Sequence, residues 1–134
     1  MVDVFTPEKR SMIMSKIRSK NTKIDRDMRE LLSKIGCEYI MYPKMYGNPD
    51  FIIPSMRIAI FCDGDFWHGF KYHEKKKPSK KFWRNKIEKN MTRDKKVSRK
   101  LRSEGWHVLR FWEHDIEKRL VFCSQKISRV IISN

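Results

Sequence analysis

Residues 47–68 read GNPDFIIPSMRIAIFCDGDFWH, a pattern typical of two β-strands joined by a tight turn. Two apolar, β-branched runs flank a Pro-Ser-Met-Arg segment, which is a turn signal. If the hairpin folds about Met56, Asp50 lies opposite Cys62, and neighbouring strands are about 5 Å apart. The carboxylate of Asp50 and the backbone or side chain at Cys62 and Asp63 could then bind one hard cation. Oxygen ligands with room for water and phosphate suit Mg²⁺.

The charge of the chain is unevenly distributed. The formal net charge is +15 over 134 residues, a length that predicts one domain over residues 1–134. Residues 71–102 contain 15 Lys or Arg and only three acids. Such a block favours a polyanion through counterion release, and the alternative is a solvated helix face. The interleaved aromatic residues Phe82 and Trp83 and the nearby acidic residues favour nucleic acid.

The cysteine pattern favours a reducing compartment. Three cysteines, an odd number, lie far apart and form no C-x-x-C motif, which argues against a disulfide framework. No apolar run is long enough to cross a bilayer, and the first residues show no signal-peptide pattern. We therefore expect a cytoplasmic protein without a membrane partner.

Hydrophobic periodicity predicts an α/β protein with the element order α-α-β-β-β-α-β-α. This order implies a mixed central sheet flanked by helices. Thr22 and Asp25 have the spacing of a capping box at a helix start, and Gly36 is a helix stop. Besides the hairpin, we expect helices over about 6–19, 22–35, 80–104 and 115–132, and strands over 38–42 and 106–112.

A nuclease motif is partly present in the hairpin. Pro49-Asp50 before an apolar strand, with Asp63 about a dozen residues later, is the outline of the PD-(D/E)xK nucleases. The usual lysine two residues beyond the second acid is absent, because position 65 is an aspartate. His68 is then the candidate that activates water, since an imidazole titrates near neutrality. Asp50 could instead be a turn aspartate, and His68 a hydrogen-bonded structural histidine.

Asp94 is a second acid that needs a partner. It lies seven residues from both Ile87 and Leu101, so it faces inward with the apolar side of the predicted helix. An unpaired inward carboxylate is costly, and we therefore expect Asp94 to be paired.

Seven segments of the chain carry a resemblance to a known family. They are TPEKRSMIMSKI at 6–17, KNT at 20–22, GNPDF at 47–51, AIFCDG at 59–64, FWHG at 66–69, WRNKI at 83–87 with Asn90 and Arg93-Asp94, and GW at 105–106 leading to WE at 112–113. In this order and spacing, the chain resembles the very-short-patch repair (Vsr) endonucleases over nearly its whole length. The resemblance implies a restriction-endonuclease-like, PD-(D/E)xK-related fold and Mg²⁺ as cofactor. It also implies nicking of duplex DNA beside a T:G mismatch left by deamination of 5-methylcytosine.

The resemblance also implies roles for individual residues. Asp50 matches the central metal-binding aspartate, and the backbone carbonyl of Cys62 matches a second metal ligand. His68 matches the histidine that assists hydrolysis, and Asp94 matches an aspartate that hydrogen-bonds it; a buried salt bridge from Asp94 to Arg or Lys is the alternative. Asp63 falls where the family often has an aspartate, and we include it among the catalytic and metal-binding candidates.

Further positions have two interpretations each. Asp25 falls where the family has a glutamate near the site, although its spacing from Thr22 also suits a cap, and both roles are compatible. Phe66 and Trp67 match a pair that opens the base stack, with Met14 acting from the other groove, although aromatic residues after a strand usually anchor a core. The predicted contacts to the DNA backbone come from basic residues, namely Lys75, Lys76, Lys77, Lys80, Lys81, Arg84 and Lys86.

The chain departs from the family at its structural zinc site. The positions of the zinc ligands hold Asp65, Phe70, Tyr72 and His114, so every cysteine ligand is missing. We therefore expect no structural zinc, with the rings of Phe70 and Tyr72 filling the space.

The expected function is a Mg²⁺-dependent DNA endonuclease that acts as a monomer and nicks beside a T:G mismatch. One alternative is a nuclease of the same fold used for restriction, mobile-element cutting or another lesion. The other is a catalytically silent DNA-binding module, which would need none of Asp50, Asp63 and His68.

Overall fold

A mixed sheet of four strands carries helices on both faces in the residues that the computed structural model describes, which are 20–74, 77 and 80–133. The strand order is β1-β2-β3-β4, with β1–β2 and β2–β3 antiparallel and β3–β4 parallel. The elements are α1 (Lys23–Ile35), β1 (Ile40–Met41), β2 (Phe51–Ile53), a 3₁₀ turn (Pro54–Met56), β3 (Ile58–Asp63), α2 (Lys81–Ser103), β4 (His107–Trp112), α3 (Glu113–Lys118) and α4 (Leu120–Ser133). This is the predicted architecture. The helix predicted over 6–19 lies outside the described residues.

The central hairpin is present, but its register differs from the prediction by one residue. Phe51 pairs with Ile60, which places Asp50 level with Phe61 rather than opposite Cys62. The cause is the turn, because Arg57 adopts a left-handed conformation with φ of 51°. Its N–H donates to the Pro54 carbonyl at 3.2 Å, and this shortens the connection.

Both ends of α1 follow the capping signals in the sequence. The Thr22 hydroxyl accepts a hydrogen bond from the Asp25 N–H at 3.3 Å. At the other end Gly36 has a φ of 85°, and its N–H donates to the carbonyls of Leu32 and Ser33. A residue with a side chain would be strained in this left-handed conformation, which explains why the helix ends at a glycine.

Two apolar layers lie on opposite faces of the sheet. On one face α1, α3 and α4 cover the even-numbered residues of β3, and on the other face α2 covers Ala59 and Phe61. All six residues of β3 are buried. Because side chains alternate along a strand, the adjacent residues Cys62 and Asp63 point to opposite layers.

Two predicted boundaries were wrong. The helix expected over 115–132 is two helices, broken at Arg119. The apolar positions Ile116, Leu120, Cys123 and Ile127 keep helical spacing across the break, so the sequence pattern does not reveal it. The strand expected over 38–42 is present only at Ile40–Met41. Tyr42 has a φ of 52°, which ends the extended backbone, although its N–H still donates to the Asp50 carbonyl at 2.8 Å. No described helix is long and apolar enough to cross a membrane.

Candidate active site

Two clusters of candidate ligand residues flank the carboxyl end of β3. Asp25, Asp50 and Cys62 form one cluster, in which a carboxylate oxygen of each aspartate and the Cys62 Sγ lie within 4.8 Å of one another. Asp63, His68 and Asp94 form the second cluster, with the same spread of atoms. The clusters are separate because the last residues of β3 alternate between the two faces of the sheet. The structure thus brings together all five residues predicted to be catalytic, but in two groups.

Asp50 lies immediately before β2 and reaches across to β3. Its Oδ2 accepts a hydrogen bond from the Cys62 N–H at 2.7 Å. In a strand the N–H and C=O of one residue point to the same side, so the Cys62 carbonyl also faces Asp50. Burial raises the pKa of Asp50 to about 7, and the nearby charges of Asp25 and Asp63 add to the rise. Ionised Asp50 is therefore costly without a cation, and its oxygen-rich surroundings fit a hard divalent ion.

Asp25 lies on α1 and is almost fully buried, with 2% of its surface exposed. Its backbone N–H serves the Thr22 cap, while its carboxylate accepts a hydrogen bond from the Tyr42 hydroxyl at 2.6 Å. The Tyr42 oxygen in turn accepts a hydrogen bond from the Asn21 N–H. Burial raises the pKa of Tyr42, and the bond to Asp25 raises it further, so the phenol remains a donor. Asp25 thus faces the site with its side chain and contributes to the cap only through its backbone.

His68 lies in the turn that follows β3. Its Nδ1 is 2.5 Å from Asp94 Oδ2 and 3.6 Å from Asp63 Oδ1. This is the contact between Asp94 and the histidine that the resemblance implied. Burial lowers the pKa of His68, but the hydrogen bond to Asp94 and the two negative charges outweigh it and raise the pKa above 6.5. These contacts orient the ring through Nδ1, and Nε2 is the nitrogen that can exchange a proton with another group.

Arg110 lies beside this cluster and was missed by the sequence analysis. It lies on β4, level with Phe61, and its guanidinium is 4.0 Å from the Phe61 ring. Its Nη1 donates to both oxygens of Asp63 at 3.2 Å, and it also lies 3.7 Å from Asp94 Oδ1. Burial raises the pKa of Asp63, and His68 and Arg110 oppose that rise. A charged residue inside an otherwise apolar strand is the signal that could have identified it, because such a residue requires a buried partner. Asp94 thus contacts both of the partners that the sequence analysis considered, the histidine and an arginine.

A ridge of aromatic side chains begins two residues before His68. Phe66 is 51% exposed and contacts Trp67 edge to face at 4.9 Å between ring centroids. Trp67 contacts Trp83 at 5.4 Å, and Trp83 contacts Phe82 at 4.7 Å. Asn90 of α2 fixes the ridge by donating to the Trp67 carbonyl at 3.0 Å. The ridge therefore connects the turn after β3 to the start of α2.

The described basic candidates surround the start of α2. Lys80 and Lys81 are exposed, and Arg84 and Lys86 are half-buried in the first turns of the helix. Lys77 is exposed and lies over the Tyr72 ring at 5.3 Å. Met14, Lys75 and Lys76 lie outside the described residues.

The positions that correspond to the family's zinc ligands form direct contacts. His114 Nδ1 lies 3.0 Å from Asp65 Oδ1, and the Phe70 ring lies 4.2 Å from the His114 ring. Phe70 also contacts Trp112 at 5.1 Å. Tyr72 is buried and contacts His73. The turn after β3 is thus joined to α3 by a hydrogen bond and ring packing.

The four-stranded mixed sheet with helices on both faces defines a fold of the restriction-endonuclease-like class. A solved structure named Homing Endonuclease I-Bth0305I Catalytic Domain has the same fold, with a TM-score of 0.61 at 22% identity. The match covers 84% of this chain and 97% of that domain. The predicted fold class is confirmed. The side chains of the two clusters are ones that could hold a divalent metal ion.

The chain belongs to the Vsr DNA mismatch endonuclease family, whose profile matches residues 2–74. It is 36% identical to the type II nicking enzyme V.NmeDIP of Neisseria meningitidis serogroup C, over 97% of this chain and 90% of that enzyme. It is 34% identical to the DNA mismatch endonuclease Vsr of Escherichia coli K12, over 84% of this chain and 74% of that enzyme. The resemblance is confirmed, and the chain is a DNA endonuclease. The alternative of a silent binding module is set aside.

Proposed function

We propose that this endonuclease uses Mg²⁺ and nicks one strand of duplex DNA beside a T:G mismatch, as a monomer in the cytoplasm. One observation carries the proposal: the two clusters and an aromatic ridge that exposes Phe66 all lie at the end of β3. The names of two relatives, a nicking enzyme and a DNA mismatch endonuclease, support it.

The metal site in this proposal is the cluster of Asp25, Asp50 and Cys62. Asp50 and the Cys62 carbonyl would hold the ion, together with Asp25. We prefer this cluster to the second one, because both oxygens of Asp63 already contact Arg110. When bound there, Mg²⁺ would supply Lewis-acid chemistry by polarising the scissile phosphate and stabilising charge on the leaving oxygen.

His68 is the proposed general base. With Nδ1–H donating to Asp94, the tautomer places the free lone pair on Nε2, which can accept a proton from water. The raised pKa of His68 makes this nitrogen a stronger proton acceptor, and Asp94 stabilises the imidazolium that forms.

The aromatic ridge and the basic residues are proposed to hold and open the duplex. Phe66 and Trp67 insert beside the mismatch, where unstacking costs less than in paired DNA. Lys80, Lys81 and Arg84 bind phosphates, which positions the duplex without reading its sequence.

Cleavage of end-labelled duplexes with Mg²⁺ tests the function. The substrates carry a T:G mismatch in several sequence contexts or are fully paired, and the variants are Asp50→Ala and, as matched control, Asp27→Ala on the same helix as Asp25. We expect a single-strand nick beside the mismatch that Asp50→Ala loses and Asp27→Ala retains. Cutting of paired DNA or of both strands would instead indicate a nuclease of the same fold with another role. A nick that Asp50→Ala retains would refute the metal site.

A further inference from the structure

We propose that Arg110 is a positioning residue that ties Asp63 to Asp94, so that the two carboxylates together orient His68. The inference rests on the proposed role of His68 in hydrolysis. It adds to the site a cation supplied by the protein itself, on the face of the sheet opposite the proposed metal ligands.

The contacts of Arg110 involve every nitrogen of its guanidinium. Nη1 donates to both Asp63 oxygens at 3.2 Å, and Nη2 donates to the Asp94 carbonyl at 3.2 Å. Nε donates to the Ser98 hydroxyl at 2.7 Å, and the Phe61 ring stacks against the guanidinium at 4.0 Å. A planar group held on three edges and one face has a single available orientation.

Arg110 adds a polar link between the sheet and α2 to the apolar packing between them. Asp94 and Ser98 are four residues apart, so they present neighbouring groups on one side of α2. Asp63 and Arg110 come from β3 and β4 on the face that α2 covers. The guanidinium therefore bridges the helix and the strands beside His68.

The electrostatics require a cation at this position. Asp63 and Asp94 both lie near His68 Nδ1, at 3.6 and 2.5 Å, and two carboxylates this close repel each other. The guanidinium lies 3.2 Å from one carboxylate and 3.7 Å from the other and offsets that repulsion. An arginine stays charged throughout the working pH range, so this positive charge is present whether or not metal is bound.

The alternative is that Arg110 only stabilises the fold, and Arg119 provides a control for that case. Arg119 also pairs with an aspartate, Asp115 at 3.4 Å, and also stacks on a phenylalanine, Phe122 at 4.2 Å. It lies outside both clusters. Arg119→Met therefore removes the same kinds of contact without affecting His68.

The experiment compares Arg110→Lys, Arg110→Met and Arg119→Met in the full-length chain. The first readout is the downfield proton signal of the His68 Nδ1–H in protein without metal or DNA at low temperature, assigned by its loss in His68→Ala. The second is the single-turnover cleavage rate, set against the dissociation constant for DNA. We expect Arg110→Met to lose the signal and to slow cleavage on the order of 10²-fold, with DNA affinity within about twofold of wild type.

Arg110→Lys should fold and should retain part of the proton signal and part of the cleavage rate. The loss is partial because one ammonium keeps the positive charge but cannot contact three groups at once. Arg119→Met should change neither readout. An unchanged proton signal and cleavage rate in Arg110→Lys and Arg110→Met would overturn the inference. If Arg110→Met does not fold, Arg110→Lys decides alone, and wild-type signal and rate in that variant overturn it. Because the proton signal needs neither DNA nor metal, it distinguishes this inference from the proposed function, which fails if the wild type does not nick mismatched DNA.

Discussion

Replacing Asp50 by Asn should stabilise the metal-free protein at pH 8. Burial raises the pKa of Asp50 from 3.8 to about 7. A difference of about 3 in pKa corresponds to about 4 kcal/mol, which the folded state loses by holding the ionised carboxylate. Asparagine has nearly the same shape, and its oxygen can still accept the Cys62 N–H, so the variant removes the charge without opening a cavity.

The sign of the pH dependence follows from proton binding. Between about pH 4 and 7 the folded protein holds a proton on Asp50 that the unfolded chain has released. The stability of the wild type relative to Asp50→Asn therefore falls as pH rises through this window and is constant above it. The gain of the variant should be about 4 kcal/mol at pH 8 and about 2 kcal/mol at pH 5.

Thermal unfolding in a chelator at the two pH values measures this gain. For a domain of this size about 1 kcal/mol shifts the midpoint by about 4 °C, so we expect Asp50→Asn to melt more than 10 °C higher than wild type at pH 8. Mg²⁺ should raise the midpoint of the wild type only, because the variant lacks the ligand. Asp27→Asn is the control and should show no such gain. A variant that melts no higher than wild type at pH 8, or that gains equally at both pH values, would refute the reasoning.

Three further predictions concern catalysis, packing and DNA binding. His68→Ala should slow single-turnover cleavage about 10²- to 10⁴-fold without weakening DNA binding, and unchanged turnover in this variant would remove His68 from the mechanism. In a pH–rate profile, the wild-type rate should rise with pH and reach a plateau above the raised pKa of His68. Gly69→Ala should destabilise the fold by about 1–3 kcal/mol more than Gly36→Ala in denaturant unfolding, because both have positive φ but only the Cβ at Gly69 would lie 2.5 Å from Met91 Sδ; equal losses would contradict this. Lys81→Ala should reduce the slope of log binding constant against log salt concentration by the amount expected for about one phosphate contact. An unchanged slope would exclude a phosphate contact at Lys81.

The local signals in the sequence predicted the elements and much of the site. Thr22 and Gly36 cap α1 as expected, and α2 differs from the prediction by one residue at each end. The contact between Asp50 and Cys62 also forms, although the register was wrong by one residue. The contact survives because the Asp50 side chain extends beyond its own strand and reaches the Cys62 N–H.

The groups that the sequence analysis missed depend on long-range contacts. Arg110 is 47 residues from Asp63, and Tyr42 is 17 residues from Asp25. Nothing near either residue in the chain indicates its partner, since the pairing is set by the parallel alignment of β3 with β4 and by the turn at Tyr42. Side chains that hold the catalytic candidates in place are therefore harder to predict than the candidates themselves.

The division of the site into two clusters also follows from the fold rather than from the sequence pattern. The sequence analysis placed Cys62 and Asp63 around one cation, but the side chains of consecutive residues in a strand must face opposite sides of the sheet. Cys62 thus meets Asp25 and Asp50 beneath α1, while Asp63 meets His68, Asp94 and Arg110 beneath α2. A slip of one residue in β3 would exchange the two faces and destroy both clusters at once. The short turn closed by Arg57 fixes that register, so it determines which carboxylates form the proposed metal site and which lie beside the histidine.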